Sequence, residues 1–313
     1  MSRLNIISPV YFDYPCAKRL MEEIKKSNPN KEIFFYFVDD SAGADKDMQN
    51  LANENNVFVL RPLVNLGHQR AIVFALRKLV PTFDKSDLIV TMDSDGEDLP
   101  EHIPGLIQAL NDDHSFSLAK RTKRQESPLF KFMYFFFKIF FRMTTGITVK
   151  TGNFACFKAR AIKKVIHHPF FDLCYSSVFL SLKLNLNLVP CERGLRYFGE
   201  SKMNSIGLIS HGIKMLMPFL DRISIRLLVS FAALGGLSLA SAVIALVYPE
   251  VFPFEVTRAF KIILLSAFII SSLSAMNMMV LFSIFSQSMR DAYKFVDLRS
   301  VAGESKNEIK AAS

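Results

Sequence analysis

Two stretches, Leu227 to Tyr248 and Ile262 to Ser286, contain no charged residue, and this limits the possible folds more than any other feature. Each reaches the roughly 20 apolar residues that cross a ~30 Å hydrocarbon core. A pair of buried core helices is the alternative, and their length speaks against it. Gly235-Gly236 and the nearby Ser and Ala residues suit close packing of membrane helices. The connection from Pro249 to Lys261 is short, so the spans form a hairpin with both ends on one side of the membrane. Lys214, Arg222 and Arg226 precede the hairpin, and Arg290, Lys294 and Arg299 follow it. The loop, with Glu250, Glu255, Arg258 and Lys261, is less basic, which predicts both termini in the cytoplasm.

Composition agrees. Half the residues are hydrophobic and 30 are Phe, an apolar excess that points to a membrane protein with a large extramembrane part. No signal-peptide pattern is expected in Met1 to Tyr11. Cys16, Cys156, Cys174 and Cys191 lack paired metal spacing, and a cytoplasmic body predicts free thiols. The net charge of +9 suits anionic lipid and phosphate-bearing substrates. No nucleic-acid partner is expected, because no binding motif accompanies the charge.

Residues 3 to about 120 alternate strand and helix signals. Leu4–Ser8, Glu32–Val38, Val57–Arg61, Asp87–Met92 and Ser115–Ala119 read as strands. Cys16–Lys26, Asp45–Glu54, Gly67–Leu79 and Glu101–Leu110 read as helices. This is the pattern of an α/β, doubly wound, mostly parallel sheet. Residues 128–145 are Phe-rich, with Lys131, Lys138 and Arg142 in one sector of a helix. They read as a helix lying in the bilayer interface, with an internal core helix as the alternative. Residues 203–221 read as a second interfacial helix. The expected organisation is a cytoplasmic domain over 1–221, a transmembrane hairpin over 222–290 and a polar cytoplasmic tail over 291–313.

The strand ending at Met92 runs into Asp93-Ser94-Asp95-Gly96-Glu97-Asp98, and Pro100 then opens a helix. Carboxylates at a strand end stand where α/β sheets bind ligands. Asp93 and Asp95 are two residues apart, so in extended geometry they share a face and could grip one hard cation, Mg²⁺ or Mn²⁺. Asp98 and Glu101 fit simple helix N-terminal charges.

Further segments fall into order around this one. They are Pro9-Val10-Tyr11, Val38-Asp39-Asp40, Asn65-Leu66-Gly67-His68-Gln69, Arg121 to Arg124, Thr151-Gly152-Asn153-Phe154, and Arg196-Tyr197-Phe198-Gly199-Glu200-Ser201-Lys202. Together they resemble the family 2 glycosyltransferases of GT-A (Rossmann-like) fold over roughly residues 4 to 220. The nearest branch resembles bacterial polyprenyl-phosphate glycosyltransferases and dolichol-phosphate mannose synthases. The resemblance implies an inner-membrane, multi-pass enzyme. It uses a UDP- or GDP-linked sugar and is compatible with a homo-oligomer.

By position, the resemblance implies that Pro9, Tyr11, Val38 and Asp40 line the base and ribose. A capped turn is the alternative for Asp39-Asp40. Asp93 and Asp95 would hold the cation, with Ser94 close to the sugar nucleotide and Glu97, where the family usually has Gln, as a further ligand or a charge. Asp13 stands near the family's Glu. Arg121, Arg124, Arg196 and Lys202 would neutralise phosphate charge. His68 is expected in a structural hydrogen bond, since a helix N-terminus disfavours imidazolium. Asn153 stands where lipid-phosphate members often carry Asp, and would position the acceptor by hydrogen bonding.

The implied reaction is inverting, metal-dependent transfer to polyprenyl phosphate. That acceptor has a second pKa near ~6 and attacks without a base. The second reading is transfer to a glycan hydroxyl, which needs a base, with Asp172 the best candidate. The third is a non-catalytic membrane scaffold. The chain has no Trp, which excludes the Gln-x-x-Arg-Trp motif of processive synthases.

Overall fold

The computed structural model describes residues 2–29, 31–111, 113–122, 128–148, 151–182, 184–199, 205–247 and 258–294. The strands β1 (Leu4–Val10), β2 (Ile33–Asp39), β3 (Val57–Leu60), β4 (Leu88–Thr91), β5 (Phe116–Arg121), β6 (Thr151–Lys158) and β7 (Leu186–Cys191) form one sheet in the order β3-β2-β1-β4-β6-β5-β7. β1 is buried along its whole length, as a central strand covered on both faces must be. The first two helices are α1 (Tyr14–Ser27) and α2 (Met48–Ala52). α1 buries Cys16, Ala17, Leu20, Met21 and Ile24 on one face and leaves Lys18, Glu22, Lys25 and Lys26 outside, a helical stripe against the sheet. α3 (His68–Leu79) and α4 (Ile103–Gln108) follow, and every strand and helix anticipated before residue 120 is present near its expected bounds.

Past residue 120 the structure adds elements that the alternation did not indicate. β6 runs antiparallel between β4 and β5, and β7 pairs parallel with β5 at the edge. α5 (Pro128–Thr145), α6 (Ala159–Ile162), α7 (Phe171–Ser181) and α8 (Ser205–Leu216) complete this part of the chain.

Register sets the site. Pro9 is level with Val38, and Ile7 with Thr91, in the parallel pairs. Thr91 is level with Ala155 in the antiparallel pair. Two residues beyond Thr91, Asp93 therefore comes level with Pro9 on one side and Asn153 on the other. Four segments far apart in sequence meet at one sheet edge.

The chain divides into two compact units. The first, Met1–Lys138 with Thr148–Pro218, contains the sheet. Within it, the Phe137 ring lies against Gly212 of α8, while Phe135 and Phe136 are exposed. The second, Ile139–Ile147 with Phe219–Leu298, contains α9 (Leu220–Val247) and α10 (Arg258–Lys294). α9 and α10 pack together through small residues: Gly235 lies against Ser271, whose hydroxyl donates to the Phe231 carbonyl. In this unit Phe141 is fully buried against Phe219, and Arg226 donates to the Met143 carbonyl at 2.7 Å. The Phe-rich helix exposes Phe135, Phe136, Ile139 and Phe140 and buries Phe141.

Among the described residues, two stretches are long and apolar enough to cross a membrane, Ile209–Ile244 and Ile262–Leu281. Their apolar side chains, among them Leu237, Val243, Ile263 and Ile270, point outward. Most of the hairpin loop and residues 295–313 of the C-terminal tail lie outside the described residues.

The turn after β4 is held in place by Tyr197, which donates its N–H to the Asp95 carbonyl at 2.8 Å. Its hydroxyl donates to Glu23, and the Arg19 guanidinium covers its ring at 4.4 Å. Gly96 has φ +89°, and a Cβ there would lie 2.6 Å from the Tyr197 ring. Gly96→Ala should therefore cost about 1–3 kcal/mol through backbone strain alone, before the clash. Thermal unfolding of the full chain in detergent should show a lower melting temperature, with Tyr197→Ala relieving only the steric part. A wild-type melting temperature for Gly96→Ala would contradict this packing.

Candidate active site

The sheet edge gathers four carboxylates within six residues. Asp98 is 4% exposed and accepts the Asp93 N–H at 3.0 Å, closing the turn. Burial, then the nearby Asp93, push the Asp98 carboxyl up to about 7. Asp95 accepts the Glu97 N–H at 3.1 Å, and burial followed by Asp93 and Glu97 raises it to about 6. Burial also opposes ionisation of Asp93, but His68 and Arg121 outweigh it and hold that carboxyl well below the usual range. The cluster concentrates negative charge in a desolvated turn and has need of cations.

Three arginines supply part of that charge. Arg121, at the end of β5, lies over Gly152 and 3.6 Å from Asp98. Arg193 pairs with Glu97, and Arg196 reaches Asp95 Oδ2 at 3.1 Å and also pairs with Asp13. The loop after β7 is thereby fastened to the acidic turn by side chains, and again by the Gly194 N–H on the Glu97 carbonyl at 2.9 Å. Glu97, expected as a ligand or a charge, has its carboxylate on Arg193.

On the other side of Asp93, His68 Nε2 lies 2.9 Å from Asp93 Oδ1, and the Asn153 amide nitrogen is 2.6 Å from the same ring nitrogen. Gln69 donates to Asn153 Oδ1 at 2.5 Å. The Asn153 carbonyl accepts from the Thr91 and Tyr175 hydroxyls at 2.8 and 2.7 Å, so its backbone is pinned from both sides. Burial lowers the His68 pKa, but Asp93, Asp95 and Asp98 raise it more, and the net shift is upward. The hydrogen bond expected of His68 is present. The expectation that its helix end disfavours imidazolium is overturned by the facing carboxylates.

Over β1 and β2 the residues are arranged differently. Ser94 Oγ donates to the Pro9 carbonyl at 2.9 Å, tying the first strand to the acidic turn. Tyr11 is exposed, with its ring edge-on to Phe12 at 4.9 Å. Val38 is buried. Asp40 is also buried, which raises its pKa, and its Oδ1 accepts the Leu66 N–H at 2.7 Å. Asp39 accepts from Ser41 and pairs with Arg61. Both acids make contacts that brace turns. Arg124 and Lys202 lie outside the described residues.

Sequence reasoning missed Asp98, Arg193 and Tyr197 as parts of this edge. A β-branched strand followed by Asp-x-Asp-Gly signals a turn, but nothing in the spacing shows that Asp98 folds back onto Asp93. Among the described residues no three Asp, Glu, His or Cys side chains form a ready metal cage. The oxygen donors of Asp93 and Asp95 would need others from a ligand.

Residues 5–167 match the family model of glycosyl transferase family 2. The fold is also similar to glucosyl-3-phosphoglycerate synthase from Mycobacterium tuberculosis, solved with Mn²⁺, UDP and phosphoglyceric acid. That likeness has 12% identity, covers 71% of this chain and 78% of that one, and has a TM-score of 0.50. A second likeness is to mannosyl-3-phosphoglycerate synthase from Rubrobacter xylanophilus, at 11% identity, 71% and 74% coverage and a TM-score of 0.50. At these identities the structures speak for the GT-A fold alone. The family model spans more than half of the chain and includes β1, the acidic turn and Asn153, and the chain belongs to glycosyl transferase family 2.

Proposed function

We propose that this glycosyltransferase is an inverting, divalent-metal-dependent enzyme that moves a sugar from a UDP- or GDP-linked donor to polyprenyl phosphate at the cytoplasmic membrane face. The observation that carries the reading is the buried carboxylate cluster of Asp93, Asp95 and Asp98 beside Arg121 and Arg196. All its donors are hard oxygens, and burial followed by the charge of Asp93 raises both Asp95 and Asp98. Such a set fits Mg²⁺ or Mn²⁺ completed by phosphate oxygens. Mn²⁺ and UDP in the Mycobacterium tuberculosis synthase of similar fold support this.

Asp93 and Asp95 would hold the cation, which when bound supplies charge neutralisation for the diphosphate leaving group. Arg121 and Arg196 add fixed positive charge to the same end, with Arg124 and Lys202 as further cations. Tyr11 covers the base, and the Pro9–Ser94 bond keeps the base side and the phosphate side in register. Asn153, anchored through its carbonyl and its amide, positions the acceptor opposite the donor. A lipid phosphate is already anionic at neutral pH, so alignment suffices for attack on the anomeric carbon.

The best base candidate of the hydroxyl-acceptor reading is engaged in an ion pair. Asp172 is held by Arg77 through two contacts of 2.8 Å. The membrane part of the reading rests on the two apolar spans and on exposed Phe135, Phe136, Ile209 and Ile213 in the catalytic unit, with Lys138 and Lys214 beside them.

Purified full-length protein with labelled UDP- and GDP-sugars, Mg²⁺ and polyprenyl phosphate should yield a sugar–phosphate–lipid. Asp95→Asn should reduce the rate at least about a hundredfold, the scale of losing a main charge-stabilising group, and EDTA should abolish it. Full activity in EDTA, or label found only on glycan hydroxyls, would refute the corresponding part of the reading. Topology is tested separately. Reporter fusions at Met1 and Ser313 should both report cytoplasm, and one end on the far side would overturn the hairpin.

A further inference from the structure

Each of the three nitrogens of Arg196 already holds a partner where a donor diphosphate would need it. Its Nε donates to the Phe198 carbonyl at 2.9 Å, one terminal nitrogen holds Asp95 Oδ2 at 3.1 Å, and the other holds Asp13. The Arg196, Asp95 and Asp13 side chains are each about one-fifth exposed or less. Asp95 has its second oxygen on the Glu97 N–H. Asp13 occupies the N-cap of α1, where an Asp normally caps its own helix, yet its side chain makes no cap bond and turns to Arg196 instead.

We infer that Arg196 is a resident counter-ion of Asp95, given up only when the donor diphosphate arrives, with Asp13 as the seat that keeps the guanidinium in place during the exchange. This rests on the reading of Asp93 and Asp95 as cation ligands. A guanidinium and a divalent cation on one carboxylate repel each other, so the cation alone meets an occupied site. A diphosphate brings enough negative charge for both. Arg196 keeps Asp13 and Phe198 and turns its third arm from Asp95 to a phosphate oxygen, and Asp95 becomes available. Cation and nucleotide then bind cooperatively, and by linkage each strengthens the other equally. The planar fork is essential, because a Lys carries the same charge but cannot hold Asp13, Asp95 and the Phe198 carbonyl together.

The test is Mn²⁺ binding to full-length protein in detergent. It is read from loss of the free-ion electron paramagnetic resonance signal, with and without UDP and against a protein-free UDP control. Wild type should bind Mn²⁺ weakly alone and more tightly with UDP. Arg196→Lys and Arg196→Gln should each raise nucleotide-free Mn²⁺ affinity by about fivefold or more, the scale of a partly exposed ion pair. Both should also shrink the enhancement by UDP, and melting temperatures report whether each variant is folded. If Arg196→Lys behaves as wild type while Arg196→Gln binds tighter, the effect is only the field of a nearby charge and the proposal fails. Unchanged affinity in both variants also overturns it. A wild type that binds no Mn²⁺ even with saturating UDP removes the cation reading itself, and the proposal with it.

Discussion

Crowding of carboxylates at the end of β4 is the constraint around which the rest of the catalytic unit is arranged. Asp93, Asp95, Glu97 and Asp98 lie in one desolvated turn, and two of them are raised by burial and by one another. Leaving such a cluster uncompensated would cost several kcal/mol per ion. The fold answers with arginines drawn from two distant places, the end of β5 and the loop after β7, and with His68 from the start of α3. Each partner arrives by strand order: β6 brings Asn153 beside Asp93, and β5 and β7, parallel neighbours, bring Arg121 and the Arg193–Arg196 loop to the same edge.

The first 120 residues were legible because local signals and tertiary structure agree there. β1, β2 and β4 are short apolar runs that end in turn residues, and α1 and α3 carry one apolar face. After that point the agreement ends. Thr151–Lys158 reads as a motif around Asn153, and its strand character depends on antiparallel pairing with both β4 and β5, which no local pattern states. Leu186–Cys191 contains Pro190, which argues against a central strand, and it is accordingly at the edge.

Site residues divide along the same line. Asp93 and Asp95 announce themselves by position after a strand. Asp98 reads locally as a helix-end charge because its role depends on the turn folding back, with Gly96 at positive φ and Tyr197 packed over it. His68 was assigned a neutral tendency from its helix end, and three carboxylates across the edge reverse that. In each case the missing information was a partner distant in sequence.

The central claim is that the acidic turn after β4 receives a divalent cation together with a nucleoside diphosphate. The most direct measurement is a structure of the full chain with Mn²⁺ and UDP, with the metal located by its anomalous scattering. The account predicts manganese within coordination distance of Asp93 or Asp95 and of a diphosphate oxygen, with the uracil against Tyr11. Manganese or UDP bound elsewhere, with the acidic turn empty of both, would contradict it.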